Sequence, residues 1–302
     1  MNETMTVSSE PVAAHDVHTQ EQLVEALKSN NNVPLWAQMT RLNPPALNPR
    51  TVPYLWAYDT IRPYLLRAGH IVTEKQAERR VLMLANPARG KGGFTAIHGQ
   101  RVPMHPRDVV VTPTWNWHDQ GKKGADEDSS DDQLVIWLDG LDLPNFIHFP
   151  VHFIEYFAKA KYPADDVDVS PIVFSWDKMV AKLNTSSAEW VSEPYLRADG
   201  REIGRVIGAS AEKLDAKAKS PSMLETASSV YHVIEGSGYS KIGDVTLSWK
   251  RGDTFCVPAW HRYQHFSDEN KVYLYRFDDK PMLKALGFYR VGGVDVETLV
   301  SN

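Results

Sequence analysis

The segment 113-PTWNWHDQG-121 sets one histidine, His118, beside two tryptophans and an aspartate, directly after the run Val109, Val110, Val111, Thr112. β-Branched residues favour extended chain. The spacing therefore predicts a strand that delivers an imidazole into an aromatic pocket, the way a transition-metal ligand is presented. One imidazole cannot hold a metal usefully, so partners are needed. His98 and His105 flank a predicted strand pair and read as turn or surface residues. His148 and His152 have the i, i+4 spacing that can bind metal on a helix. Pro150 lies between them, however, and NFIHFPVHFIEYF reads as a packed apolar segment. His232, His261 and His265 read as core or interface residues, and the acidic run 125-ADEDSSDD-132 as a solvated loop.

These residues need elements to position them. Residues 1–18 are polar and read as a disordered tail. From Thr19, a plausible N-cap, TQEQLVEALKSN predicts a short amphipathic helix. Five prolines interrupt 33-VPLWAQMTRLNPPALNPRTVPYLW-56, which predicts an irregular arm. Its apolar side chains call for packing on its own domain or on a neighbouring subunit. A second helix is predicted over 73-TEKQAERRVLML-84, capped by Thr73.

Beyond residue 89 the chain turns to short β-like runs, and it repeats itself. Residues 93–120 match 238–265 without a gap at a constant offset of 145. Phe94 matches Tyr239, Ile97 matches Ile242, Asp108 matches Asp253, Pro113 matches Pro258 and Trp115 matches Trp260. Each copy reads as strand, turn, strand, a turn ending in aspartate, an apolar strand, then Pro-x-Trp and a last strand. Two such copies predict two related small barrels or jelly rolls.

Composition narrows the function classes. The 302 residues are 42% hydrophobic and carry a net charge of −5, which gives no reason to expect nucleic acid or an anionic membrane as partner. The first residues lack the basic and apolar regions of a signal peptide, and no apolar run is long enough to span a bilayer. Cys256 has no cysteine partner and reads as a buried strand residue. The expected location is a reducing, soluble compartment, the cytoplasm.

The quoted blocks resemble one family. PTWNWHD, 135-VIWLDGLDLP-144, 230-VYHVIEGSGYSKIG-243 and 252-GDTFCVPAWH-261 are similar to gentisate 1,2-dioxygenase, as are 52-VPYLWAYDTIRPYLLRAG-69 and 72-VTEKQAERRVLMLANP-87. The family comprises ring-cleaving bicupin dioxygenases, with relatives acting on salicylate and 1-hydroxy-2-naphthoate. The resemblance implies a mainly β fold of two cupin (double-stranded β-helix) barrels with N-terminal helices, and a homo-oligomer, often a tetramer. It also implies one Fe(II) per subunit in the first barrel, held by three imidazoles and open to an aromatic hydroxy-acid and O2. His118 stands at the family's third ligand position. Trp115, Trp117 and Asp139 would line the pocket, and Arg79 or Arg80 would reach the substrate carboxylate.

Two departures follow from the comparison. The family's Trp-His-Asp-His reads Trp117-His118-Asp119-Gln120, so Gln120 replaces a histidine. The family's His-x-His belongs upstream of GGFTA, yet the helix ending MLANPA runs almost directly into ARGKGGFTA. The second copy has about thirty residues, 203–236, where the first has a few. The expected organisation is a tail (1–18), helices and arm (19–88), a truncated first cupin (89–150), a connecting segment (151–202) and a complete second cupin (203–302). Met223 and Glu225 hold the His-x-His positions of the second copy, and Tyr263 matches His118. The chain is then either a dioxygenase or a shortened, catalytically inactive bicupin that has lost two of three iron ligands.

Overall fold

Side chains in the second repeat alternate between core and solvent. Along Val245–Lys250, Leu247 and Trp249 are buried, while Thr246, Ser248 and Lys250 are exposed. That period of two places an apolar face on each strand and lets two sheets close over one core. The computed structural model describes residues 16–17, 53–60, 84–85, 93–113, 116–122, 137–138, 140, 157–159 and 162–292.

The strands in chain order begin with β1 (Asp16–Val17), β2 (Tyr54–Trp56) and β3 (Leu84–Ala85). The first repeat holds β4 (Gly93–Ile97), β5 (Gln100–Pro103), β6 (Val109–Val110), β7 (His118–Lys122) and β8 (Trp137–Leu138). Between the repeats lie β9 (Asp165–Asp166), β10 (Val173–Phe174), helix α1 (Trp176–Asn184) and β11 (Trp190–Pro194). The second repeat holds β12 (Gly208–Leu214), β13 (Ser229–Glu235), β14 (Ser237–Ile242), β15 (Val245–Lys250), β16 (Thr254–Val257), β17 (Tyr263–Ser267) and β18 (Val272–Asp278). Helix α2 (Lys280–Ala285) follows.

A seven-stranded sheet, β1-β2-β16-β13-β18-β12-β11, faces a three-stranded sheet, β15-β14-β17. Leu214, Tyr231, Val233, Phe255 and Leu274 from the first meet Ile242, Leu247, Trp249 and Tyr263 from the second in one core. The outer face of the large sheet is covered by α1, whose Trp176, Met179 and Leu183 recur at helical spacing and pack on Ala209, Ala211 and Tyr273.

The 145-residue repeat is a structural repeat. In the first copy β4 pairs Ile97 with Gln100 of β5 and with His118 of β7. In the second, β14 pairs Ile242 with Val245 and with Tyr263, the same register. His98 and Gly243 occupy matching positive-φ turn positions, as do Arg107 and Gly252. Among the described residues, the strand preceding β4 is the two-residue β3, whereas β14 is preceded by two seven-residue strands, β12 and β13.

The two copies exchange their edge strands. Before the second repeat, β10 pairs with β6 of the first, Val173 with Val110 and Phe174 with Val109. Far upstream, β2 pairs with β16 of the second repeat, Leu55 with Phe255 and Trp56 with Thr254. Two residues later the backbone N–H of Trp176 donates to Asp108 Oδ1 (2.8 Å) and that of Tyr58 to Asp253 Oδ1 (2.7 Å). Asp108 thus does for α1 what its N-cap residue Ser175 does not, since Ser175 makes no side-chain cap bond.

Several local expectations change. The end of the proline-rich arm is strand β2, because the open edge of β16 offers it a ladder. Asp16–Val17, in the stretch read as a disordered tail, pair in parallel with Leu55–Trp56. Leu84, read as the last residue of a helix, instead pairs with Leu138. The rest of that helix and the helix at Thr19 lie outside the described residues. The stretch 151–202, read as a connection, supplies α1 and β11, and β11 extends the large sheet through Val191–Lys213 pairing. No helix among the described residues is long and apolar enough to cross a membrane.

Candidate functional site

His118 opens β7, a strand separate from β6, which holds the start of the β-branched run. Its Nδ1 lies 3.1 Å from the Asn116 carbonyl. The ring nitrogen facing a carbonyl carries the proton, which directs the Nε2 lone pair away from the strand, the orientation a ligating histidine takes. Gln120 is two residues on, hence on the same face. Its Nε2 is buried with no hydrogen-bond partner among the described residues. The matching residues of the second copy, Tyr263 and His265, face that barrel's interior, so by register His118 and Gln120 face the interior of the first. Thr95, fully buried, pairs with Gln120 across the ladder.

The remaining expected site residues divide. Trp117 is 43% exposed and packs edge-on against Phe157 at 5.3 Å. Arg79, Arg80, Trp115 and Asp139 lie outside the described residues, as do His148 and His152. His98 sits exposed in a turn with φ 52°, and His105 is exposed. Among the described residues no three His, Cys, Asp or Glu side chains come together as a metal-binding group. Of the ligands that the family resemblance implies, His118 is the one that lies among the described residues.

Three histidines were read as core or interface, and two are core. His265 is fully buried, with Nδ1 2.7 Å from Ser240 Oγ, and burial pushes it down to about 3. His232 is buried against Thr254 Oγ1 (2.9 Å), and burial lowers it to about 4. His261 lies nearer the surface, its ring turned back onto the Ala259 carbonyl at 3.0 Å.

A polar network inside the second barrel escapes sequence reasoning. Glu225 Oε1 lies 2.6 Å from Arg276 Nη2 and accepts from Tyr263 Oη at 2.7 Å, while Tyr289 Oη donates to Glu225 Oε2 at 3.0 Å. Arg276 Nη1 donates to Tyr263 Oη at 3.3 Å, and Nε lies 3.0 Å from Asp278 Oδ2 without hydrogen-bond alignment. Glu212, fully buried, accepts from Trp190 Nε1 (3.0 Å) and Tyr231 Oη (3.4 Å). Burial raises Glu212 above the ordinary carboxylate range. Burial pushes Glu225 the same way, but Arg276 and Lys280 outweigh it and hold that carboxyl at about 2. Charged residues separated in sequence and masked by apolar neighbours give no periodic signal, so only the register places them together.

No family model matches the chain. The gentisate 1,2 dioxygenase 1 of Aquipseudomonas alcaligenes is 26% identical over 338 aligned positions, covering 89% of this chain and 95% of that protein. Those 338 positions exceed the chain's own 302 residues by 36, so at least that many positions of the relative face gaps in this chain. The 5-aminosalicylate 1,2-dioxygenase of a Comamonas species is 25% identical, with 89% of each chain covered. Among solved structures, the salicylate 1,2-dioxygenase of Pseudaminobacter salicylatoxidans shares the fold at a TM-score of 0.69, with 22% identity over 89% of this chain and 95% of that one.

Proposed function

We propose that the chain is a gentisate 1,2-dioxygenase-type bicupin whose first barrel is built to open the ring of gentisate or a related hydroxybenzoate with O2. The observation that carries this reading is the pair His118 and Gln120 on the interior face of β7, with Gln120 Nε2 buried and unsatisfied among the described residues. A buried amide without a partner costs about 1–3 kcal/mol, a cost that a bound polar ligand removes. His118 would hold Fe(II) through Nε2. Bound there, the metal would supply open positions for a bidentate hydroxy-carboxylate and for O2.

The chain's own residues bind and orient. Gln120 would donate its amide N–H to an oxygen of the bound acid. Trp115 and Asp139 would line the pocket, the half-exposed Trp117 would form its rim, and Arg79 or Arg80 would pair with the carboxylate. The assembly is a homo-oligomer, a tetramer by family resemblance, in the cytoplasm. The test is iron content and O2 uptake with gentisate, measured on this chain and on His118→Ala. Iron and uptake that both vanish in the variant support the reading, and iron retained by the variant refutes it.

A second reading is favoured by the 36 excess positions of the relative's alignment. By it, the chain is a shortened bicupin that has lost the segment bearing His-x-His between Ala88 and Gly90, and with it catalysis. A chain that takes up little iron and no O2, while folding cooperatively, carries this second reading.

A further inference from the structure

The two barrels differ at the same place in the ladder. Where the first copy presents His118, the second presents Tyr263, and the positions counted back to His-x-His hold Met223 and Glu225. Met223 and Tyr263 are bridged directly, their backbones bonding at 2.8 and 2.9 Å. Glu225 and Tyr263 then meet at 2.7 Å on a single cation, the Arg276 guanidinium, which also reaches Asp278. Glu225, Tyr263, Arg276 and Asp278 are each more than nine-tenths buried. We propose that Arg276 is the resident cation of the second barrel: its guanidinium stands in for a metal ion and makes that barrel a metal-independent scaffold for the first.

Chemistry favours the substitution. A guanidinium is planar, always charged, and presents five N–H donors in a fixed fork. It can therefore hold one carboxylate at its tip, another at Nε and a phenol between them, as an ion holds ligands. Unlike an ion, it is tethered to β18 and cannot be chelated. The C-terminal segment closes the arrangement: Tyr289 donates to Glu225, Thr226 N–H donates to the Arg290 carbonyl at 2.9 Å, and Lys280 Nζ sits 3.4 Å from Glu225.

The experiment uses the full chain. Urea unfolding midpoints are measured for Arg276→Met, Glu225→Gln and the double variant. Removing one partner of a buried pair strands the other, whereas removing both does not. Each single variant is expected to lower the midpoint, and the double variant to fall well short of the summed losses. Additive losses, or an Arg276→Met chain as stable as the parent, overturn the proposal. Should Arg276→Met fail to fold, Arg276→Ala with millimolar methylguanidinium takes its place. A saturable rise in its soluble yield or midpoint, absent from the parent chain, supports the proposal, and no rise overturns it. The unfolding cycle reads the second barrel alone, so failure of the first-barrel function leaves it interpretable.

Discussion

Tyr263 occupies in the second copy the rung that His118 occupies in the first, each opposite an isoleucine that ends the central strand of its small sheet. The pairing fixes where a metal ligand would point in one barrel and what replaced it in the other. On the shortened-bicupin reading, in which His118 keeps no imidazole partners, this chain is expected to bind ferrous iron far below one per subunit and to open gentisate slowly or not at all. Even changes around ligands weaken metal sites by about 10–100-fold, and missing ligands should weaken them more. Iron analysis of protein purified without oxygen, with a ring-opening assay at saturating gentisate, checks this.

Inserting a family-like segment that carries His-x-His between Ala88 and Gly90 is expected to raise both iron content and turnover. The same insertion with His118→Ala should lose both gains. Such a segment would add a neighbour to β6. Alternation read from sequence points Val109 and Val111 at it, but Val109 is already buried with Trp176 against the large sheet, while Val110 packs on Met104. The inner residue is therefore Val110, matching Phe255, and the stability gain from the insertion should vanish selectively in a Val110→Ser background.

Asp108 and Asp253 should prove unequal as caps. Asp253 accepts from two backbone donors, Tyr58 and Lys250 (3.0 Å), and Asp108 accepts from Trp176. Bonds to a charged acceptor contribute about 1.5–3 kcal/mol each. Asp253→Ala is expected to cost roughly 3–5 kcal/mol and Asp108→Ala roughly half of that, read from urea midpoints. Equal losses would contradict the pairing described.

Acid should loosen the second barrel through its buried histidines, against an opposing contribution from Asp279, whose carboxyl burial raises to about 6. His232 is held neutral by burial, its value lowered from 6.5 to about 4. Above pH 6.5 both folded and unfolded chains carry it neutral, and its stabilisation is complete. As pH falls from 6.5 towards 4, the unfolded chain takes a proton that the folded chain refuses, so stability drops, by roughly 3 kcal/mol at about 1.4 kcal/mol per unit. His265, lowered further, acts in the same direction. Glu225, lowered to about 2, adds its own loss below pH 4.5. Midpoints measured from pH 7 to 4 should fall steadily, and His232→Gln should fall less steeply.

Legibility in the sequence followed physical locality. The repeat was readable because Phe94, Ile97, Asp108 and Pro113 recur at one spacing, and a period of two then fixed which residues share a face. Cys256 read correctly as a buried strand residue, because its apolar neighbours TFCV form an unbroken buried run. What escaped was non-local. Asp108 and Asp253 match in the repeat, but their work, capping segments that lie 68 and 195 residues away, depends on the exchange of edge strands. Arg276 lies among apolar residues of β18 and gives no sign of the carboxylates it joins.

The exchange of edge strands has a consequence for the order in which the protein can be made. During synthesis β2 leaves the ribosome roughly 200 residues ahead of β16, which at about 5–20 residues per second is a wait of roughly 10–40 s. For that time Tyr54 and Leu55, both destined for full burial, have no sheet to join. The second barrel can acquire its last strands only from the oldest part of the chain, so the molecule is closed after translation, from the end that was started first.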